Sequence, residues 1–533
     1  MNIKALFLFH RGKNLEKNEG IGLLAKGAGI SFFAEIGHVI FIWIYGILIA
    51  RYLGSHDYGI FFLGITIFNL ACLFALGGVE DTLIRFVGAY TRAGNKNDTD
   101  TVIRFSFLIA LGAGSGIGIL CFLLKDILAN DVFYKPDLAI VLSYLSPAIP
   151  VFVLMTISVA SIRSHKIVFP YVFVRKIFFP TILLILGGLI LGIGLGLKSL
   201  SLSYLMSVVA GACLASFFLK YYLGPFTGRS CSWMGKKSYL SFLSAAYFSN
   251  ILLFLFSWSD LIILGILSSP DQLGIYFAAK RTALALGILL VSLNVILGPM
   301  ISHLYSGKQY EQLGHAFKTG TLWIVSIGLP ILLMFLFFSG EILLIFGAEF
   351  IKGQACLTIL VLGQFINLSV GSVGYMLLMT GHQKWMVFNA LGAVCLNALL
   401  MVILIPRYGI TGAAWSAGAT LSLANLIAMV EVYFLLGVHP YSLRYFKLIF
   451  LACVTAGLTW TLKHYTGQTE SIAFIIGQIT FIYICFFSLL LVFGLTKLEK
   501  LKLLEIRNKP LPVLVKNFLE GGNGKPTGRV KNR

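Results

Sequence analysis

Apolar runs of bilayer-spanning length recur fourteen times along this chain, separated by short polar loops. About 20 apolar residues cross the roughly 30 Å hydrocarbon core of a membrane. No water is present there to satisfy the backbone, so each run is expected to be a helix. The runs fall near residues 25–50, 57–79, 101–124, 138–162, 168–194, 200–223, 239–268, 272–302, 318–339, 353–380, 385–405, 409–436, 446–463 and 471–495. The piece 340–352 is too short and too charged to span, and reads as interfacial. The pattern predicts an all-α polytopic membrane protein.

Composition agrees with this pattern. The chain is 58% hydrophobic and only 12% charged, which excludes a water-soluble globule. A formal net charge of +20 could suggest nucleic acid, but its distribution argues otherwise. Basic residues gather before the first run (Lys4, Arg11, Lys13, Lys17) and after the even-numbered ones (Arg92, Lys96; Arg163, Lys166; Arg229, Lys236, Lys237; Lys308; Lys384; Arg444, Lys447), and they fill the C-terminal tail. The alternate loops hold fewer: Arg51, Lys125, Lys135, Lys198, Lys352, Arg407 and Lys463. By the positive-inside rule both termini are expected in the cytoplasm, in a cell (inner or plasma) membrane. Anionic lipid headgroups account for the basic loops, with no nucleic-acid partner. The eight cysteines stand singly, without a C-x-x-C pair, so neither a metal site nor a disulfide framework is expected. No Walker motif is present, and Gly192-x-Gly194-x-Gly196 lacks the strand–helix context of a nucleotide loop.

The chain repeats itself once, at an offset of roughly 215–220 residues. Leu53-Gly-Ser-His-Asp-Tyr-Gly59-Ile-Phe-Phe62 is echoed by Leu267-Ser-Ser-Pro-Asp-Gln-Leu-Gly274-Ile-Tyr-Phe277, and Arg163-Ser-His-Lys166 by Gly381-His-Gln-Lys384. In each half the second run is expected to end at a glycine, Gly78 or Gly298, and to lead into a polar loop. Six runs separate the equivalents, so the halves share one orientation and a pseudo-two-fold axis along the membrane normal. Parallel repeats of this kind build transporters with a site between the lobes. The expected division is an N-terminal tail 1–24, an N-lobe 25–223, a polar linker 224–238, a C-lobe 239–437, two added helices within 438–495, and a basic tail 496–533.

Ala50-Arg-Tyr-Leu-Gly-Ser-His-Asp-Tyr-Gly59 resembles the first-loop signature of the polysaccharide flippases. Thr380-Gly-His-Gln-Lys384, Asn397 and Ile405-Pro-Arg-Tyr-Gly-Ile-Thr-Gly-Ala-Ala414 resemble the signature of their second lobe. These flippases belong to the multidrug/oligosaccharidyl-lipid/polysaccharide exporter superfamily, and the resemblance spans roughly residues 20–440. It implies a MATE-like fold. It also implies movement of a polyprenyl-pyrophosphate-linked oligosaccharide from the inner to the outer leaflet by alternating access, for cell-surface polysaccharide biosynthesis. The implied partners are that lipid-linked substrate, membrane lipids and the polysaccharide assembly machinery. No cofactor is expected; coupling to H+ or Na+ stays open.

A cargo with an anionic headgroup needs fixed positive charge in a cavity, and ionisable residues inside spans are functional candidates. The cationic candidates are Arg175, Lys176, Lys280, Arg281 and Arg85, with Lys26 placed to snorkel at the start of the first run. For Arg85, just past the second run, headgroup and cavity roles are both open. Lys280 and Arg281 are adjacent, roughly 100° apart on a helix, so they cannot point the same way. The acidic candidates are Asp260, Glu35 and Glu431. Asp260 could pair with Lys280 or Arg281, or carry a coupling ion. Glu35 has His38 on the same face and could share a hydrogen bond with it or take part in protonation. The alternative function is a cation-coupled antiporter of drugs or metabolites on the same fold. Catalysis is not expected, because the outer loops are short and Asp126, Asp131 and Asp137 are spaced unlike a metal pair.

Overall fold

The computed structural model describes residues 17–191, 196–224, 235–466 and 472–494; side chains are described from residue 35 onward within these ranges, apart from 36, 190, 191, 466 and 472. The described residues are helical almost throughout, with no strand. The basic tail 496–533, most of the linker 224–238 and residues 1–16 of the predicted N-terminal tail lie outside them, whereas 17–24 of that tail already belong to the first helix.

In order, the chain forms α1 (Lys17–Leu76), α2 (Val79–Arg92), α3 (Lys96–Leu123) and α4 (Leu138–Ser164). Next comes α5, which joins Phe169–Val172, a π-helical stretch Phe173–Phe178 and Phe179–Leu191. Then follow α6 (Leu197–Leu223), α7 (Lys236–Leu267), α8 (Pro270–Ser306) and α9 (Tyr310–Leu344). A 3-10 turn, Ala348–Gly353, leads to α10 (Gln354–Ser369), α11 (Val373–Met379), α12 (Gln383–Leu436), α13 (Leu443–Thr466) and α14 (Ile472–Leu489).

Twelve described helices are long and apolar enough to cross a membrane. Two of them, α1 and α12, each hold two of the predicted runs. At 60 residues, α1 would reach about 90 Å if straight, three times the hydrocarbon thickness. It breaks at Gly54, where φ is 77°. The Tyr45 and Phe61 rings then lie 6.4 Å apart, so the chain doubles back. In α12 the break is Gly409, φ 57°, and Asn389 Nδ2 donates to Glu431 Oε2 at 2.7 Å across 42 residues. An L-residue rarely adopts such dihedrals, and glycine adopts them freely.

Three expectations change. The helix does not stop at Gly298; α8 runs on to Ser306. Unlike Gly298, Gly77 and Gly78 take positive φ, and the chain continues from them into the helix α2 rather than a loop. The predicted run 353–380 is divided into α10 and α11 at Gly371, φ 73°, because a side chain there would strike Thr321.

The chain divides into two compact units. The first comprises Met1–Ile324 and Phe335–Pro440, and the second Val325–Met334 and Tyr441–Arg533. The second unit contains the predicted added helices, α13 and α14. In it Tyr483 Oη donates to Met334 Sδ at 3.9 Å. The first unit holds the first repeat and all of the second except 325–334. A buried cluster of Met155, Val159, Ile162, Val174, Ala212 and Ala215 packs one half. Leu313, Phe317, Val370, Met376, Leu377 and Val432 do so in the other.

The repeats meet through their duplicated motifs. A Cβ on Gly59 would collide with the Pro270 carbonyl and approach the Gly274 nitrogen. A Cβ on Gly274 would collide with the Ser55 carbonyl and approach the Gly59 nitrogen. Positions about 215 apart thus exchange partners, which is the signature of a two-fold-related contact.

Candidate functional site

The helices of the first unit have two ends. The basic face carries the lysine- and arginine-rich connections; the opposite face carries residues 51–57, 124–137, 268–271, 345–353 and 407–411. Arg281 lies roughly 16 Å along α8 from Pro270, near the middle of the span. It leaves its own repeat. Its Nη2 donates to the Ile42 carbonyl of α1 at 2.7 Å, and its guanidinium lies 5.1 Å from the Phe62 ring centroid. Gly46 makes room, since a Cβ there would be 3.5 Å from Arg281 Nη1 and 3.4 Å from Tyr58 Oη. Among the described residues no carboxylate lies within ion-pair distance of Arg281.

Lys280 turns the other way, as the 100° separation requires. Its ammonium contacts both Asp260 oxygens at 2.6 Å and the Ser257 carbonyl at 2.7 Å. Tyr276 Oη donates to Asp260 Oδ2 at 2.7 Å. Asp260 is only 2% exposed, so its charge is matched inside the second repeat. Nearby, Asn397 donates to Ser259 Oγ at 3.1 Å.

Arg175 and Lys176 sit in the π-helical stretch of α5. Lys176 pairs with Glu35 at 2.9 Å. Arg175 pairs with Glu80 at 3.4 Å, and Arg163 reaches the other oxygen of Glu80 at 3.2 Å. Both guanidiniums lie over Tyr171, at 4.4 Å and 5.7 Å. Glu35, the partner of Lys176, and Ile42, the partner of Arg281, lie two turns apart on α1, so a cation of each repeat reaches the same stretch of that helix. The Glu35–His38 hydrogen bond is not formed. Glu35 is drawn to the stronger partner, a lysine, and His38 Nδ1 has no partner.

Arg85 stands apart. It is exposed at the basic face, with its guanidinium 4.2 Å from the Phe242 ring centroid. Glu431 accepts from Asn389 and joins none of the cations by an ion pair among the described residues. The Lys26 side chain lies outside those described. Glu80 was missed in the sequence because it comes after the second run, where a polar loop was expected. Its signal was the Gly77-Gly78 break leading into two acids, a helix-start pattern.

On the opposite face the repeats are latched together. Lys135 is 4% exposed; its ammonium donates to the carbonyls of Phe133, Gly265 and Ser268, and burial pushes it below the ordinary lysine range. Arg51 Nε donates to the Ile345 carbonyl at 2.8 Å. Ser55 Oγ lies 2.8 Å from Asp271 Oδ1 and 2.7 Å from Glu349 Oε2. At the basic face α2 meets α7, where Asn250 Nδ2 donates to Asp81 Oδ2 at 3.1 Å.

Comparison with known proteins bears on this geometry. A probable low-salt glycan biosynthesis flippase of Haloferax volcanii is 24% identical over 251 residues, 46% of this chain and 52% of that protein. The chain thus spans about half the length of this curated relative. Among solved structures, the lipid II flippase MurJ in an inward closed conformation superposes with a TM-score of 0.70 at 15% identity, over 88% of this chain and 98% of that one. An inward-facing multidrug resistance MATE family transporter of the MOP superfamily gives 0.65 at 14% identity, over 77% and 98%. These likenesses establish a MATE- and MurJ-like fold. The polysaccharide biosynthesis protein family matches residues 48–352, more than half of the sequence, and the chain belongs to that family.

Proposed function

We propose that this protein flips a polyprenyl-pyrophosphate-linked oligosaccharide from the cytoplasmic to the outer leaflet, by alternating access of its two repeats. The observation that carries this reading is Arg281. A guanidinium near the middle of a span is costly, and more so without a counter-ion. It lies where the repeats meet and is held by a neutral carbonyl, which leaves its charge for an anion. Arg175 and Arg163, two cations sharing the one carboxylate of Glu80, add cationic reach on the first repeat, whereas Lys176 is paired with Glu35; the basic face is the cytoplasmic one in this reading. The latched opposite face closes the site from outside, so substrate enters from the cytoplasm. Lys280 is neutralised by Asp260, and the pair is assigned a structural role rather than substrate binding. The surplus of cations favours an anionic cargo over the cationic drugs of an antiporter.

The test is translocation of a fluorescent polyprenyl-pyrophosphate oligosaccharide in proteoliposomes. Arg281→Met should slow flipping by at least about tenfold, and Arg281→Lys should restore only part, because lysine lacks the bidentate fork. Flipping at the unmutated rate in Arg281→Met would overturn the assignment.

A further inference from the structure

Glu80 is the second residue of α2, one residue beyond Gly77 and Gly78, whose φ values are 48° and 95°. Its two oxygens serve different arginines: Oε1 accepts from Arg163 Nη1 and Oε2 from Arg175 Nη1. The next residue, Asp81, accepts from Asn250 on α7. The two glycines pack so closely on Tyr247 and Ala246 of α7 that neither could bear a side chain. One turn of helix therefore holds an arginine pair of the first repeat and a contact with the second.

We propose that Glu80 is a resident stand-in for the substrate's phosphate, and that its displacement reports substrate binding to α7. The proposal rests on the reading of the cavity as a site for a diphosphate headgroup. A carboxylate bridging two guanidiniums through its two oxygens imitates one face of a phosphate. A phosphate carries more charge and more acceptor oxygens, and it engages arginine forks bidentately. It takes the arginines, and Glu80 is released. The turn that carries Glu80 also carries Asp81 and hinges at two glycines, so the Asp81–Asn250 contact loosens with it. Substrate and seam are then coupled through one element with two arrangements, and the coupling is reciprocal.

The test uses the full chain in zwitterionic nanodiscs with inorganic pyrophosphate as the calorimetric probe. Glu80→Gln keeps the shape and removes the competing charge; it should tighten pyrophosphate binding by about tenfold. Glu80→Asp, too short to bridge both arginines, should fall between. Arg175→Gln should erase the gain. Asn250→Ala, which loosens the seam directly, should tighten binding a few-fold by reciprocity. Unchanged or weaker binding in a monodisperse Glu80→Gln protein overturns the stand-in role, and unchanged binding in Asn250→Ala overturns the link to α7. Pyrophosphate that binds the unmutated protein but ignores Glu80→Gln would leave the cavity reading standing; pyrophosphate that binds neither protein sinks both. Repeating the titration with anionic phospholipid in the nanodisc separates the sources. If the lipid abolishes the Glu80→Gln gain, a bilayer headgroup rather than the carrier's diphosphate occupies the arginines, and the proposal fails.

Discussion

Asp260 and Lys280 show how a residue's neighbours decide its role. Asp260 has two close contacts to one ammonium and a third bond from Tyr276. Removing one partner of a buried pair leaves an uncompensated charge, at a cost of about 3–5 kcal/mol. Asp260→Asn should therefore reduce folding yield and thermal stability in detergent, and the double variant Asp260→Asn/Lys280→Met should recover most of the loss. A stable Asp260→Asn protein that has lost only the dependence of flipping on an ion gradient would assign the carboxylate to coupling instead. The sequence made these residues candidates because charges inside apolar runs stand out. It could not choose which of two adjacent cations would pair with Asp260, since that depends on how α8 is rotated against α1 and α7. Glu80 was hidden for a related reason: its partners Arg163 and Arg175 come from separate helices, and only packing brings them together.

At the scale of the helix, hydropathy located nearly every span because the bilayer imposes one length and one composition. It was less informative about interruptions, which turn on single glycines and their neighbours. Gly78 and Gly298 occupy similar sequence settings, yet only the first takes positive φ. The deciding difference is local: Gly78 lies against Ala246 and the Tyr247 backbone, whereas Gly298 faces Tyr375 and Met379 at ordinary contact distance. Gly371 combines positive φ with a Thr321 side chain that fills the space of a Cβ. Gly371→Ala is expected to destabilise the first unit by about 1–3 kcal/mol through backbone strain alone, and by more through the clash. Thermal unfolding should show this, with Gly298→Ala as a milder comparison. Equal stability of the two variants would mean that α10 and α11 tolerate a continuous helix.

For the whole molecule, the reciprocal contact of Gly59 and Gly274 makes a quantitative demand on the duplication. Each glycine admits the other repeat's backbone, so an added side chain at either position should separate the same seam by a similar amount. Lys135 holds that seam at a different point, by donating from the first repeat to the Gly265 and Ser268 carbonyls at the end of α7. Breaking the seam at any of these three places should push the repeats apart on the opposite face. Spin labels introduced as unnatural amino acids at Tyr134 and Tyr408, both exposed on that face, would report the change as distance distributions in nanodiscs. Gly59→Val, Gly274→Val and Lys135→Met should each enrich a longer distance than the unmutated protein shows. The two glycine variants should agree with each other, because a two-fold axis makes their insults equivalent. Lys135→Met should be the milder, since it removes charge-assisted hydrogen bonds of about 1.5–3 kcal/mol each without adding bulk. If Gly59→Val opens the seam while Gly274→Val leaves it closed, the apparent symmetry is confined to the sequence, and the repeats do not move as equivalent halves of one transporter.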